Sequence, residues 1–204
     1  MARTKEFDPE VALEIAVEVF WRLGYEHTSL DTLMREMRIS KQSLYDTFGD
    51  KRSIYFRAMS HYREKTNVSL RNLFATEKSV RKGFAKLFQS IIRESKAQHE
   101  RGCLLMNANL GRAVDDVEVK GFLRDNQKDV ERIFRTAFVE AKKRGEISPE
   151  KDPITLSRFF QQCPAIVAIE LSSEYHSRSR GCRHLCALWR SRAGRSTSAW
   201  VCRE

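Results

Sequence analysis

Apolar residues recur every three or four positions along most of the chain, and up to about Leu171 no alternating apolar and polar run reaches strand length. This spacing puts apolar side chains on one face of an α-helix, so the pattern predicts an all-α protein. Asp8 and Pro9 are typical helix-start residues, and Gly24 is a typical stop. The predicted helices are Pro9 to Leu23, a second capped by Thr28, a third capped by Ser40, a fourth opened by Lys51, and then Val80 to Ser95, Cys103 to Ala113, Val117 to Arg144 and Ile154 to Leu171.

The second and third predicted helices are short and lie close together. Thr28 is expected to cap the second helix, with Asp31 as the acidic member of a capping box. Only Arg38 and Ile39 separate the end of that helix from Ser40, the expected cap of the third. Two short helices joined by so tight a turn are typical of a helix-turn-helix that docks on DNA.

The third helix carries the side chains that a DNA-reading helix needs. The major groove admits one α-helix, and its base edges offer hydrogen-bond donors and acceptors. Lys41 can donate to guanine, Gln42 can pair with adenine, and Ser43 is permissive. Tyr45 and Thr47 lie further along the helix, where their hydroxyl groups can meet phosphates.

Further phosphate contacts are expected at the helix ends around this motif. The Lys51 ammonium adds to the positive N-terminus of the fourth helix, and the Thr28 and Ser40 hydroxyls are additional donors. The alternative for single residues is structural: Tyr45 can be half-buried core and Lys51 a solvated surface charge. Because the residues occur together at this spacing, the sequence favours a DNA-binding site.

The stretch from Phe7 to Met59 resembles the N-terminal domain of the TetR family of repressors. The pattern of that family is an apolar first helix that ends in Gly followed by an aromatic residue. Thr followed by Ser or Thr comes next, and then Ser-x-x-x-Leu-Tyr-x-x-Phe-x-x-Lys. Arg38 departs from it, since many members have Gly in the turn. The matching residues are Gly24-Tyr25, Thr28-Ser29, Ser40, Leu44-Tyr45, Phe48 and Lys51. The resemblance implies base reading by Lys41, Gln42 and Ser43 and phosphate contacts by Thr28, Tyr45, Thr47 and Lys51.

The same resemblance implies a helical C-terminal domain that binds a small inducer and pairs two subunits. The segment Arg101-Gly102-Cys103-Leu104-Leu105-Met106-Asn107 is similar to a segment of one subgroup, whose members include sensors of small organic or electrophilic compounds. Val117 to Arg144 and Ile154 to Leu171 correspond in order to the helices that usually form the family's dimer bundle. The resemblance thus implies a homodimeric repressor that a small molecule releases from a palindromic double-stranded operator.

An inducer cavity needs apolar walls contributed by several helices. Apolar residues at helical spacing also fit a plain hydrophobic core, and the sequence leaves both interpretations open. Cys103 follows Gly102 near a helix start, where a reactive thiolate tends to be stabilised; the alternative is a small buried hydrophobe. The candidate ligand-binding residues are Phe84, Phe88, Cys103, Met106, Phe134 and Phe138.

Charge adds little to the case for DNA binding. The net charge is +10, but residues 1–60 carry nine Lys/Arg and ten Asp/Glu, so DNA binding must rest on a local basic face.

Residues 173–204 carry seven Arg, two Glu and no Lys, with three of the five Cys. They are either a disordered basic tail or a stretch outside the ancestral reading frame. Cys182, His184 and Cys186 only faintly resemble a metal cluster, because four-ligand spacing is absent.

Other classes of function find less support in the sequence. No Ser/His/Asp order, Gly-rich phosphate loop or metal motif points to an enzyme, a cofactor or a metal. A helical interaction module without DNA binding stays as an alternative. Without a signal-peptide core or a membrane-length apolar run, we expect a cytoplasmic protein. The predicted organisation is a helix-turn-helix domain at 1–55, a helical ligand-binding and dimerisation domain at 56–172, and an atypical tail at 173–204.

Overall fold

A computed structural model describes residues 7–93, 102–110 and 116–172, and its regular secondary structure there is entirely helical. The predicted all-α class is confirmed. Most helix ends fall within a few residues of the predicted ones, while the tail at 173–204 lies outside the described residues. The eight helices of these ranges are α1 (Pro9–Leu23), α2 (Leu30–Met37), α3 (Lys41–Phe48), α4 (Lys51–Thr76), α5 (Val80–Ile92), α6 (Leu104–Leu110), α7 (Val117–Lys143) and α8 (Pro153–Ser172).

Helix α1 begins and ends where its local signals predict. The Asp8 carboxylate accepts a hydrogen bond from the Glu10 amide at 2.9 Å, and Pro9 takes the first helical position. Gly24 ends the helix with φ 75°, a backbone conformation that residues with a Cβ rarely adopt. The helix buries Ala12, Ala16, Val19 and Phe20 against the helices that follow.

Helix α2 is capped by Ser29, so the prediction that Thr28 caps it is wrong. The Ser29 Oγ accepts a hydrogen bond from the Thr32 amide at 3.0 Å. Thr28 is only 1% exposed, and its hydroxyl donates to the Gly24 carbonyl at 2.6 Å. Because the Thr28 side chain turns inward to satisfy that carbonyl, the capping position moves one residue along the chain.

The turn between α2 and α3 reverses the chain at Arg38, which has φ 55° and ψ 42°. This left-handed conformation is disfavoured for a residue with a Cβ, which is why glycine suits such a position. The Arg38 amide donates back to α2, and the Ile39 amide donates to the Met34 carbonyl at 3.1 Å. Ile39 is thereby buried beneath the turn, and α3 starts immediately after it.

Two apolar cores lie along the long helix α4. The first joins α1, α2, α3 and the start of α4 to α6 and the beginning of α7. The second joins the end of α4 to α5, the rest of α7 and α8. Helix α4 runs without a break through the predicted boundary at residues 55 and 56, so it connects the two cores. The division into domains at 1–55 and 56–172 stays a prediction.

Candidate nucleic-acid interface

Helix α3 is held at its start by serine hydroxyls and along its inner face by apolar packing. The Ser40 Oγ accepts from the Ser43 amide at 3.1 Å and donates to the Ser43 Oγ at 2.9 Å. Leu44 and Phe48 are 0% and 2% exposed within the first core. Because these two residues face inward, the opposite face of the helix is left to solvent.

The outward face of α3 is polar and carries one acidic side chain among donors. Lys41, Gln42, Tyr45 and Asp46 are all exposed, and 44% of Tyr45 is accessible. Gln42 Nε2 donates a hydrogen bond to Asp46 Oδ1 at 2.8 Å, one helical turn further on. Thr47 is half-buried, and its carbonyl accepts from Arg57 at 2.7 Å. This face has the size and donor-rich character that a major groove accommodates.

Lys51 stands at the first position of α4, next to the outward face of α3. Its Nζ lies 4.3 Å from the centroid of the Tyr25 ring, a cation–π contact that places the ammonium at the helix N-terminus. Asp50 caps α4 by accepting from the Ser53 amide at 2.8 Å. Hydrogen bonding to Ser53 lowers the pKa of the Asp50 carboxyl, whereas burial raises the pKa of the Tyr25 hydroxyl.

The structure brings most of the predicted DNA-binding residues to one end of the molecule. Those from Ser40 to Thr47 lie on or beside α3, and Lys51 follows directly. The Thr28 hydroxyl is an exception, because its hydrogen is given to the Gly24 carbonyl and the side chain is buried. It is therefore unavailable to a phosphate, and exposed Ser29 is the hydroxyl at this end of α2. Thr28 and Ser29 are both residue types that cap helices, so the sequence alone does not show which of them caps α2.

The predicted ligand-binding residues do not form one cavity. Phe84 is packed tightly in the second core, with ring centroids 5.0 Å from Phe134 and 5.2 Å from Phe138. Phe88 stacks 6.4 Å from Phe84 at the edge of the same aromatic group. Phe84, Phe134 and Phe138 are at most 5% exposed, so the plain-core interpretation describes them. Large apolar residues at helical spacing predict burial, and they do not distinguish a filled core from a cavity.

Cys103 and Met106 lie in a different part of the molecule from these aromatic residues. Cys103 is half-buried against the first core, where Tyr62 donates a hydrogen bond to its sulfur at 3.7 Å. The neighbouring Gly102 carbonyl accepts from the Trp21 indole at 2.9 Å. Met106 is half-buried on α6. Cys103 packs on the first core and the candidate phenylalanines on the second, so the predicted ligand-binding residues do not all lie together. The reactivity of Cys103 stays a prediction.

Two cavities among the described residues have linings that the sequence did not suggest. One of about 580 Å³ lies between α1, α4 and α5 and includes Trp21 and His61; one of about 750 Å³ lies beside α4 and α7 and includes Asn67 and Ile133. Neither lining contains a predicted ligand residue. Among the described residues, the buried atoms His61 Nε2 and Asn67 Oδ1 have no hydrogen-bond partner, although His61 Nε2 lies 3.7 Å from Glu14 Oε1. The His61 side chain is 17% exposed and borders the cavity of about 580 Å³.

Comparison with known proteins agrees with a DNA-binding helix-turn-helix. The family model of bacterial regulatory proteins of the tetR family matches residues 12–58. The uncharacterized HTH-type transcriptional regulator YezE of Bacillus subtilis (strain 168) is 32% identical over 164 residues, covering 79% of this chain and 84% of that protein. The HTH-type transcriptional repressor ComR of Escherichia coli (strain K12) is 28% identical over 159 residues, covering 77% and 76%.

The fold is also shared with solved regulators. A CifR cysteine mutant of the TetR family, complexed with 26bp operator DNA, is 26% identical with a TM-score of 0.75, covering 93% of this chain and 99% of that one. Reduced E. coli NemR is 16% identical with a TM-score of 0.69, covering 86% and 93%, a likeness of fold alone. Helix-turn-helix, fold and relatives together define a DNA-binding transcriptional regulator.

The chain belongs to the TetR family. The predicted family, the all-α architecture and the absence of enzymatic function are confirmed, because the relatives are transcriptional regulators. Within the ranges that the structure covers, no helix is both long and apolar enough to cross a membrane.

Proposed function

We propose that this regulator is a homodimeric repressor that reads a palindromic operator through α3 and is released from it by a small molecule. The polar outward face of α3 is the observation that carries the proposal. Its inner residues Leu44 and Phe48 are buried, while Lys41, Gln42 and Tyr45 are exposed together. A helix so divided can enter the major groove without disturbing its own packing.

Each exposed residue has a role that follows from its chemistry. Lys41 and Gln42 reach base edges from the first turn of α3, with Ser43 half-buried beside them. Tyr45 contacts a phosphate of the DNA backbone through its hydroxyl, while Thr47 and Ser40 flank the same face of α3. Lys51 neutralises a phosphate, since its charge adds to the positive end of the α4 helix dipole. Phosphate contacts of this kind set the register from which the bases are read.

A dimer would be built from α7 and α8. Within one chain these helices pack against each other, and Arg158 Nε donates to Glu131 at 3.1 Å while Gln161 donates to the Gln127 carbonyl at 2.7 Å. A second copy can stack the same pair across a two-fold axis to complete a four-helix bundle. Two α3 helices on one face of the duplex would then read the two halves of a palindrome.

The cavity of about 750 Å³ beside α4 and α7 is the better candidate for the inducer than the filled phenylalanine cluster. It borders α4, which continues into the core that supports α3. A ligand that prefers one placement of α4 over another would change the spacing of two α3 helices in a dimer. Differential affinity of this kind is what a ligand-driven release requires.

The proposal is tested by selecting bound sequences from a pool of randomised duplexes and by measuring the mass of the free and bound protein. We expect an inverted repeat bound by two chains. We also expect transcription from a promoter carrying that repeat to fall when the protein is present. An enriched site without two-fold symmetry, bound by one chain, would contradict the dimer, and increased transcription would contradict the repressor role.

A further inference from the structure

Asp46 is an exposed carboxylate on the face of α3 that is proposed to enter the groove. It accepts the hydrogen bond from Gln42 Nε2 at 2.8 Å, and both residues are exposed. Residues four apart on a helix are neighbours on its surface, so the pair lies along one line of the outward face. No ion pair of Asp46 with a basic side chain occurs within the described parts of the chain.

The position is electrostatically unfavourable for an acid. Asp46 lies two residues before the end of α3, where the helix dipole is negative. A groove-facing carboxylate is also repelled by the phosphates on either side of the groove. The side chain is not a cap of α3, since Ser40 fills that role at the other end. Its carboxylate accepts a hydrogen bond from Gln42, which connects the role of Asp46 with that side chain.

We propose that Asp46 is a positioning residue that sets the base preference of Gln42. The inference rests on the proposed base-reading role of Gln42. Asp46 holds one hydrogen of the Gln42 Nε2 group, which decides which side of the amide carries the oxygen. The second Nε2 hydrogen and Oε1 stay available, and this pair matches the N7 acceptor and N6 donor of adenine. An amide held in this way enters the groove with its donor and acceptor already oriented.

The test uses Asp46→Ala and Asp46→Asn in the full-length protein. Both substitutions remove the negative charge, but the Asn Oδ1 can still accept from Gln42 Nε2. Affinities are measured for the selected operator and for duplexes with one changed base pair per half-site. Alanine favours helix more than aspartate does, so α3 is expected to persist, and circular dichroism checks this.

We expect Asp46→Asn to bind every duplex more tightly, because a repulsion with phosphates is removed. Asp46→Ala should gain in the same way on duplexes in which the base pair read by Gln42 is changed. Only Asp46→Ala should lose base discrimination, at the one position per half-site that Gln42 reads. The loss should be about fivefold or more, the lower end of what a bidentate contact supplies. Equal losses in Asp46→Asn and Asp46→Ala would overturn the proposal, because charge rather than the hydrogen bond would then decide the preference.

Gln42→Ala and the double variant separate this inference from the base-reading role on which it rests. We expect the double variant to show the same base preference as Gln42→Ala, since Asp46 acts through Gln42. If Gln42→Ala loses discrimination and Asp46→Ala does not, positioning fails and base reading stands. If Gln42→Ala keeps full discrimination, both fail. If Asp46→Ala removes discrimination even in the Gln42→Ala background, Asp46 reads a base directly and the positioning role is overturned.

Discussion

Arg52, in the first turn of α4, holds the carboxylate of Asp116, which caps α7. Its Nε and Nη2 donate to Asp116 Oδ2 at 3.1 and 2.8 Å, and Nη2 also lies 2.8 Å from Glu118. The other carboxylate oxygen of Asp116 accepts from the Glu118 amide at 2.8 Å. The start of a proposed dimer helix is therefore tied to the helix that follows the DNA-reading helix. A movement of α7 relative to α4 would break this contact unless the Arg52 side chain moved with Asp116.

The Arg52 contact makes a definite prediction for stability at acid pH. Hydrogen bonding from Arg52 lowers the pKa of the Asp116 carboxyl below its ordinary value of 3.8. A carboxyl with a lowered native pKa stabilises the fold above its ordinary pKa and loses that contribution as the pH falls through the native one. In urea unfolding from pH 6 to pH 2, wild type should exceed Asp116→Asn in stability above about pH 4. The difference should vanish toward pH 2.

Arg52→Gln provides the matched control for this titration. In that background Asp116→Asn should make a smaller difference, because the guanidinium that favours the ionised carboxylate is gone. The same pH-dependent difference with and without Arg52 would show that the cap hydrogen bonds alone lower the pKa of Asp116.

The phenylalanine cluster of the second core gives a second prediction. Phe134 is 1% exposed and packs edge-on against Phe84. Phe134→Ala should lower the free energy of unfolding by about 3–5 kcal/mol, because it removes buried apolar surface and leaves a cavity. Ile92→Ala, at a position 51% exposed, should change it by less than about 0.5 kcal/mol. A small loss at Phe134 would instead indicate a loosely packed site that tolerates truncation, as a ligand pocket does.

Local sequence patterns predicted most of the helices, including α3. They did not predict contacts between residues that are distant in the sequence. Ser40 could be predicted as a cap because a polar cap residue precedes an apolar run. Thr28 and Ser29 could not be separated, since the choice depends on which hydroxyl the folded chain buries. The Arg52–Asp116 contact joins residues 64 positions apart, so no local pattern marks it. Helical spacing likewise identified buried faces without telling which of two cores each would join.

The left-handed backbone at Arg38 predicts a gain in stability from glycine. Relief of the αL conformation is worth about 1–2 kcal/mol, of which the greater freedom of glycine in the unfolded chain removes about 0.5–1 kcal/mol. Arg38→Gly should therefore raise the free energy of unfolding by about 0.5–1 kcal/mol. Arg38→Ala is the control, because it removes the charge and keeps the strain. Equal stabilisation by both variants would attribute the gain to the lost side chain and not to φ.

Lys51 should contribute to affinity for all duplexes alike. Its ammonium stands at the N-terminus of α4 beside the Tyr25 ring, a position suited to a phosphate and not to a base edge. Lys51→Ala should weaken binding to selected and unrelated duplexes by the same factor. It should also make the slope of log affinity against log salt concentration shallower by about one, because one fewer counterion is released. Fluorescence anisotropy across a salt series measures both quantities. Lys128→Ala, which removes a lysine paired with Asp125 on α7, should leave the slope unchanged.

If Lys51→Ala instead changes the base preference and leaves the slope unchanged, this lysine reads sequence and the phosphate role is wrong.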